Sequence, residues 1–179
     1  MEGEEISREN INKIPYASIS AKIGKGPRSM LVLGRKSGSE LHWFSSDNAV
    51  IVTANGRIIK TAGFPENITN TVFGNPDPVN RQFHKKNFPE YSHRSIDIDT
   101  DQQFGIPVLS RYKVLGQREI SISKIIIKTV LVQEYNISKT VNWNFINYYW
   151  VDIYDGFIWK SRQHISRSFS PIDIEILKP

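Results

Sequence analysis

The stretch AVIVTANGRIIKTAG, residues 49–63, sets two β-branched runs on either side of a single Asn-Gly pair. Asn-Gly is the pair preferred in a two-residue type I′ hairpin turn, because both central residues must take positive φ. Val, Ile and Thr suit a pleated, half-buried surface. The stretch therefore reads as a β-hairpin turning at Asn55-Gly56.

The same texture extends outward in both directions. Residues 16–23 read as a strand, and 28–46 as a hairpin whose loop is 36–39. Residues 119–137 are long, β-branched and bare of turn residues, so they cover two strands or one long bent one. The closing segment alternates Ile172, Ile174 and Ile176. Helical signals are few; residues 7–15 suit a short helix with Ser7 as N-cap and Pro15 as stop. Between 64 and 107 Pro, Asn and Asp recur, and the segments there read as turns and excursions over a scaffold. Within them, Ile96 and Ile98 alternate with Asp97, Asp99 and Asp101. Eight or more hairpin-linked strands imply an antiparallel barrel or sandwich, and closure removes exposed edges. The expectation is an all-β chain: one antiparallel barrel-like domain over 1–179 with one or two short helices. Residues 1–6 read as a linker or an appended start.

A second hairpin is expected at Asp155-Gly156, within YYWVDIYDGFIWKSRQ, residues 148–163. A two-residue loop pairs Trp150 with Ser161, Val151 with Lys160 and Asp152 with Trp159. Trp150, Asp152, Tyr154, Phe157, Trp159, Ser161 and Gln163 then share one face. Tyr149, Val151, Ile153, Ile158, Lys160 and Arg162 share the other. A three-residue loop exchanges the faces of one strand.

Composition excludes several classes. The chain has 179 residues, a net charge of +5 and no cysteine. Disulfides, thiolate metal sites and cysteine nucleophiles are therefore absent. No apolar run approaches the ~18 residues of a membrane-spanning helix. The cations are spread along the chain with no basic block, so no nucleic acid partner is indicated and attraction to a polyanion is weak and salt-sensitive. Asp97-Ile-Asp99-Thr-Asp101 begins like a calcium loop but fails at Gln102 and Val108, where Gly and Glu belong. His42, His84, His93 and His164 lack metal-ligand spacing. No nucleophile elbow, phosphate loop or dinucleotide fingerprint is present. A carboxylate pair such as Asp47 with Asp152 could be assembled only by folding. Asn67-Ile-Thr69 and Asn136-Ile-Ser138 fit the glycosylation sequon, a common accidental match.

Several segments together resemble the GfcB/YjbF (YmcC-like) family of outer-membrane lipoproteins from group 4 capsule and exopolysaccharide operons. They are Met30-Leu-Val-Leu-Gly-Arg35, Trp43, Asn55-Gly-Arg57 with Thr61-Ala-Gly63, Asn147-Tyr-Tyr-Trp-Val-Asp152, Asp155 to Gln163, and Ile176-Leu-Lys-Pro179. The resemblance implies a periplasmic β-barrel-like domain, lipid-anchored to the outer membrane, that assists polysaccharide export or assembly beside an outer-membrane secretion protein. It implies no catalytic residues and no cofactor. It also implies a signal peptide and a lipid-modified cysteine upstream of the residues present, with Met1-Glu2-Gly3 as the start of a trimmed chain.

Three functions stay open on sequence alone: a non-catalytic accessory lipoprotein, a polysaccharide-binding or hydrolase-like protein, and a small-ligand carrier barrel. Glycan contact needs rings for stacking and cations for charge; Trp43, Trp150, Trp159, Lys160 and Arg162 are the candidates, with Arg57 and Asp152 completing the binding set. Docking to an outer-membrane protein is the favoured contact, with anionic polysaccharide second. The turn-rich region 64–89 is the part expected to reach beyond the barrel.

Overall fold

In the computed structural model, which describes residues 6–80 and 89–179, the described residues form one antiparallel sheet of twelve strands. A first meander runs through β1 (Ser18–Ile23), β2 (Arg28–Ser37), β3 (Glu40–Ser45), β4 (Val50–Ala54) and β5 (Arg57–Ala62). A second runs through β6 (Ile68–Phe73), β7 (Tyr91–Ile98), β8 (Gln103–Ile122), β9 (Ile125–Ser138), β10 (Trp143–Asp152), β11 (Ile158–Gln163) and β12 (Ile172–Lys178). The meanders join where β1 pairs with β12, and β5 and β6 are the outer strands of the sheet. The sheet curls until those two meet. Their seam is held by threonine hydroxyls: Ile68 N donates to Thr61 Oγ1 at 3.1 Å, and Thr71 Oγ1 donates to the Ile59 carbonyl at 2.7 Å. The result is an all-β, nearly closed barrel, as expected.

Among the described residues helix is confined to α1 (Arg8–Lys13) and one 3₁₀ turn (Thr100–Gln102). Ser7 caps α1 by accepting a hydrogen bond from Asn10 N at 3.2 Å, as its position predicts. Because every pairing is antiparallel, one end of the barrel gathers α1, the start of β1, the β2–β3, β4–β5, β8–β9 and β10–β11 turns, and the end of β12. We call it the α1 end.

The Asn55-Gly56 hairpin forms as read, with φ of 50° and 94°. Inward residues of the first meander build an apolar core that includes Ile19, Leu31, Trp43, Ile51, Ile58, Ile172 and Ile174. A second apolar cluster on the outer wall joins Ile11 of α1 to Ile122 and Leu177, with Ile6, Ile120, Ile127 and Trp159 packed around it.

Two expectations change, and one open alternative closes. The region 64–107 contains β6, β7 and the start of β8, not only excursions. Its strands are hard to read because β6 sits at the seam and buries only Ile68 of its six residues. Residues 119–137 take the first of their two readings: two strands, the arms of one hairpin turning at Ser123-Lys124 with φ of 47° and 69°. The Asp155-Gly156 hairpin has a wider loop than two residues. Asp152 N donates to the Phe157 carbonyl at 2.7 Å, so the loop is 153–156. Asp152 and Asp155 carboxylates accept from Tyr154 N and Phe157 N at 2.8 and 2.9 Å, turns of the kind short acidic side chains favour. The register becomes Trp150 opposite Lys160 and Tyr149 opposite Ser161. Tyr149, Val151, Ser161 and Gln163 therefore point inward and are buried, while Trp150, Lys160 and Arg162 face out.

Gly56 is doubly constrained. Its φ is in the left-handed region, and a Cβ there would lie 2.9 Å from Ile158 Cβ. Gly38 has a φ of 58° but open space around it. Gly56→Val should therefore lower the unfolding free energy by at least the ~1–3 kcal/mol of a strained backbone position. Gly38→Ala should cost the smaller, purely backbone part. Equal losses in chemical unfolding would refute the packing role of Gly56.

Candidate functional site

Arg57 is the first inward residue of β5, placed there by the turn that precedes it. Its guanidinium reaches across the lumen and is fully buried. On one side Nε and Nη2 form a fork on Asp77, at 2.7 Å to Oδ2 and 3.0 Å to Oδ1. On the other side Nη2 and Nη1 donate to Glu134 of β9, at 2.7 Å to Oε1 and 3.2 Å to Oε2. Arg94 of β7 adds a bond to Glu134 Oε1 at 3.1 Å. The hydroxyls of Tyr112 and Tyr149 donate to Oε1 and Oε2 at 3.0 and 3.1 Å, and Asn147 Nδ2 donates to Oε2 at 2.8 Å.

A second layer fixes the first. Arg94 Nη1 also donates to Ser110 Oγ at 2.6 Å, and Ser110 donates to Asn136 at 2.7 Å. Gln163 of β11 donates to the Gly56 carbonyl at 2.8 Å and accepts from Ile58 N at 2.9 Å, locking the hairpin that carries Arg57. Strands β5, β7, β8, β9, β10 and β11 thus converge on one carboxylate.

Asp77 comes from the segment 74–80, which folds into the barrel. Val79 is fully buried and packs with Tyr112, Val132, Tyr149 and Val151. Asp77 Oδ1 also accepts from Val79 N at 3.1 Å. These residues were expected to reach outward; the ion pair and the buried valine draw them in instead. Residues 81–88, including His84, lie outside the described residues.

The electrostatics follow from the geometry. Burial alone would push the Glu134 carboxyl up, but Arg57 and Arg94, with the bonds from Arg57 and Asn147, outweigh it and hold the carboxyl well below the usual range. Burial would lower Arg57, and Asp77 and Glu134 raise it further than burial lowers it. Burial and Glu134 push both tyrosine hydroxyls up, so they stay protonated donors. Two cations face two anions, and the cluster is neutral. Glu134 has three donors on each oxygen, more than its lone pairs can fully serve. It is charged throughout the physiological range and has no capacity left for a substrate proton.

The sequence-predicted residues are scattered. Trp43 lies in the apolar core with its Nε1 on Thr53 Oγ1 at 2.9 Å. Trp150 lies under Lys160, whose Nζ is 5.4 Å from the ring centroid. Lys160 pairs with Glu175 at 2.7 Å, and Arg162 forks onto Asp173 at 2.7 and 2.9 Å. Trp159 Nε1 donates to Asp152 Oδ2 at 2.9 Å. The structure brings Trp150, Lys160 and Arg162 to one outer face and puts Trp43 and Arg57 inside. Asp47 in the β3–β4 turn and Asp152 at the end of β10 lie at opposite ends of the barrel, so they form no carboxylate pair. Asn67 and Asn136 of the two sequons are buried, Asn67 holding Asp99 at 2.8 Å. Among the described residues no group of three His, Asp or Glu comes together around a metal position.

An apolar cavity of about 250 Å³ remains at the α1 end, lined by Ile19, Leu41, Trp43, Ile158, Ile174 and Ile176 among others. It falls below the ~300–1,000 Å³ of usual ligand pockets. The rest of the described interior is filled by the charge network with Val79 and by the apolar clusters around Ile51 and around Ile96, Ile106 and Trp143, and clefts of about 370 and 180 Å³ open at the opposite end.

Fold and site define a barrel-shaped β protein whose lumen closes around a self-satisfied ion cluster. Residues 1–177 match the family described as group 4 capsule polysaccharide lipoprotein GfcB, YjbF, and this chain belongs to that family. It is similar to the uncharacterized lipoprotein GfcB of Escherichia coli (strain K12), 27% identical over 175 residues, covering 97% of this chain and 81% of that protein. The uncharacterized lipoprotein YjbF of the same organism is 22% identical over 176 residues, covering 98% and 82%. The crystal structure of the hypothetical lipoprotein YmcC from Escherichia coli (K12) aligns with a TM-score of 0.87 at 25% identity, covering 98% of this chain and 90% of that one. The family resemblance read from the sequence therefore holds, and with it a capsule-related lipoprotein role. The family description names no reaction. No helix among the described residues is long and apolar enough to cross a membrane.

The depressed Glu134 carboxyl has a consequence for acid stability. Its stabilising charge is fully present above the unfolded value of about 4.3 and is lost as pH falls below that toward the lower folded value. Urea unfolding at pH 7, 5 and 3.5 should show stability falling below about pH 5. Glu134→Gln should cost about 3–5 kcal/mol at pH 7, since it leaves two buried arginines under-neutralised, and should flatten the acid decline. Parallel pH curves for both proteins would remove Glu134 from this role.

Proposed function

We propose that this protein is a non-catalytic lipoprotein at the periplasmic face of the outer membrane, assisting export or assembly of a capsule or exopolysaccharide by docking to an outer-membrane protein. The family supplies the capsule association. Closure of the charge network argues against acid–base chemistry at Glu134, which is the densest cluster of titratable groups in the described residues.

The observation that carries docking is a stripe on the outer wall of β7, β8 and β9. Tyr91, Arg111 and Tyr135 are cross-strand neighbours, and Leu109 lies two residues from Arg111 on β8. Tyr91 is 61% and Leu109 58% exposed. The Arg111 guanidinium lies 5.8 Å from the Tyr91 ring centroid and pairs with Glu90 at 3.1 Å. Aromatic and arginine anchors with a polar rim are what protein interfaces use for most of their binding energy. Direct capture of a polyanion has less support, because Lys160 and Arg162 are already ion-paired.

The test combines co-purification and glycan titration. Tyr91→Ala with Leu109→Ser should leave the unfolding free energy within ~0.5 kcal/mol. The pair should abolish recovery of an outer-membrane protein with the anchored form and lower surface capsule. Calorimetric titration of the soluble chain with purified group 4 capsule polysaccharide at physiological salt should show no tight binding. Tight, salt-resistant glycan binding with no co-purifying membrane protein would overturn the proposal.

A further inference from the structure

The sequence scatters its cations, but the fold gathers several of them at the α1 end. Strand β10 ends at Asp152, opposite Thr129 of β9, so the β8–β9 hairpin runs on past the sheet as an arm. Ile120, Ile122 and Ile127 of the arm pack against Ile11 of α1 and Leu177. That packing leaves the tip apolar residues outside: Ile126 is 70% exposed, and Ile125 is also exposed. Lys124 in the turn and Lys128 on the arm are exposed beside them, with Arg118, Arg8 and Lys13. Within α1 and the arm, five cations face two carboxylates, Glu119 and Glu9, the latter paired with Lys13 at 3.0 Å, so Arg8, Arg118, Lys124 and Lys128 carry the excess charge. Two exposed tyrosines lie at the same barrel end, Tyr16 ahead of β1 and Tyr154, 76% exposed, in the loop 153–156.

We infer that the α1 end of the barrel is a membrane-contact surface, with the β8–β9 tip seated on an anionic phospholipid headgroup layer. Isoleucines beside lysines suit an interface whose acyl boundary is apolar and whose surface is negative. Tyrosine prefers that same boundary, ring inward and hydroxyl wet. The chain enters the fold here, since Ile6 packs in the cluster that holds the arm. The inference rests on the proposed lipoprotein reading: a lipid ahead of Ile6 places the bilayer beside this end. It adds a second contact made by the protein itself, which a single acyl chain needs for stable attachment. The barrel axis is then held against the membrane with the docking stripe of β7–β9 on its flank.

The chain has no cysteine, so a single introduced one can be labelled cleanly. Ile126→Cys and Phe104→Cys, both exposed and at opposite barrel ends, carry an environment-sensitive fluorophore on the full, unlipidated chain. The probe membrane is vesicles of phosphatidylethanolamine and phosphatidylglycerol at low salt. The label at 126 should shift to the blue on vesicle addition, and the label at 104 should not. Co-sedimentation of the unlabelled chain should weaken on the order of tenfold when Lys124 and Lys128 are both changed to Ser. Binding should fall again with Ile126→Ser and should be absent on neutral vesicles. No vesicle binding, equal binding by the tip variants, or a shift at 104 in place of 126 would overturn the inference. Loss of vesicle binding with intact co-purification of an outer-membrane protein would sink this surface alone and leave the docking proposal standing.

Discussion

The contact between Arg57 and Glu134 is what the rest of this barrel is arranged around. Arg57 belongs to the first meander and Glu134 to the second, and the sheet joins those meanders directly only through β1 and β12. Across the lumen, the guanidinium ties them again, beyond the threonine bonds of the β5–β6 seam. Two ions removed from water pay a desolvation cost that their attraction repays only when the remaining donors and acceptors are also satisfied. That condition explains the surrounding residues. Tyr112, Tyr149 and Asn147 complete Glu134, Asp77 completes Arg57, and Gln163 holds the turn from which Arg57 springs. Leaving one of them unpaired is costlier than never having buried the group. The inward path of 74–80 follows from the same demand, since Asp77 must reach Arg57 and brings Val79 with it.

Much of the scaffold was legible from local chemistry. Asn55-Gly56 specified its turn because nothing but positive φ closes a two-residue hairpin there. Ser7 specified the start of α1 through its hydroxyl. Ile172, Ile174 and Ile176 gave β12 by simple alternation. Reading failed where side chains reshaped the backbone or where the seam relaxed the pattern. At 153–156 two aspartates captured loop amides and widened a turn that Asp-Gly alone would have kept tight. In β6 a seam position left few residues buried, so the strand carries little apolar signal.

The site was less legible, for a physical reason. Alternation in β9 puts Val132, Glu134, Asn136 and Ser138 inward and leaves Tyr135 and Ile137 facing out or half-exposed. Hydrophobicity alone assigns these faces the other way round. Only partners far away in sequence make a polar lumen tolerable, and no local rule connects Arg57 to residues 77, 94 and 134. The aromatic hairpin drew attention instead, yet its outward cations are spoken for by Glu175 and Asp173. A family relationship recovered the capsule context that the residues one by one did not.

The pairing of β1 with β12 has a consequence for how the barrel is made. Every other neighbour in each meander is also a neighbour in sequence, so those pairings are local and can form early in folding. Strand β1 has β2 on one edge but must wait for 172–178 before its other edge is covered. Until that moment Ile19 and the rest of the first-meander core face an open half-shell, with main-chain donors and acceptors unanswered along β1. Such a species is exposed to aggregation and suited to capture by holding factors. Closure therefore waits on one long-range pairing: the two meanders become a single body only when 172–178 reach β1.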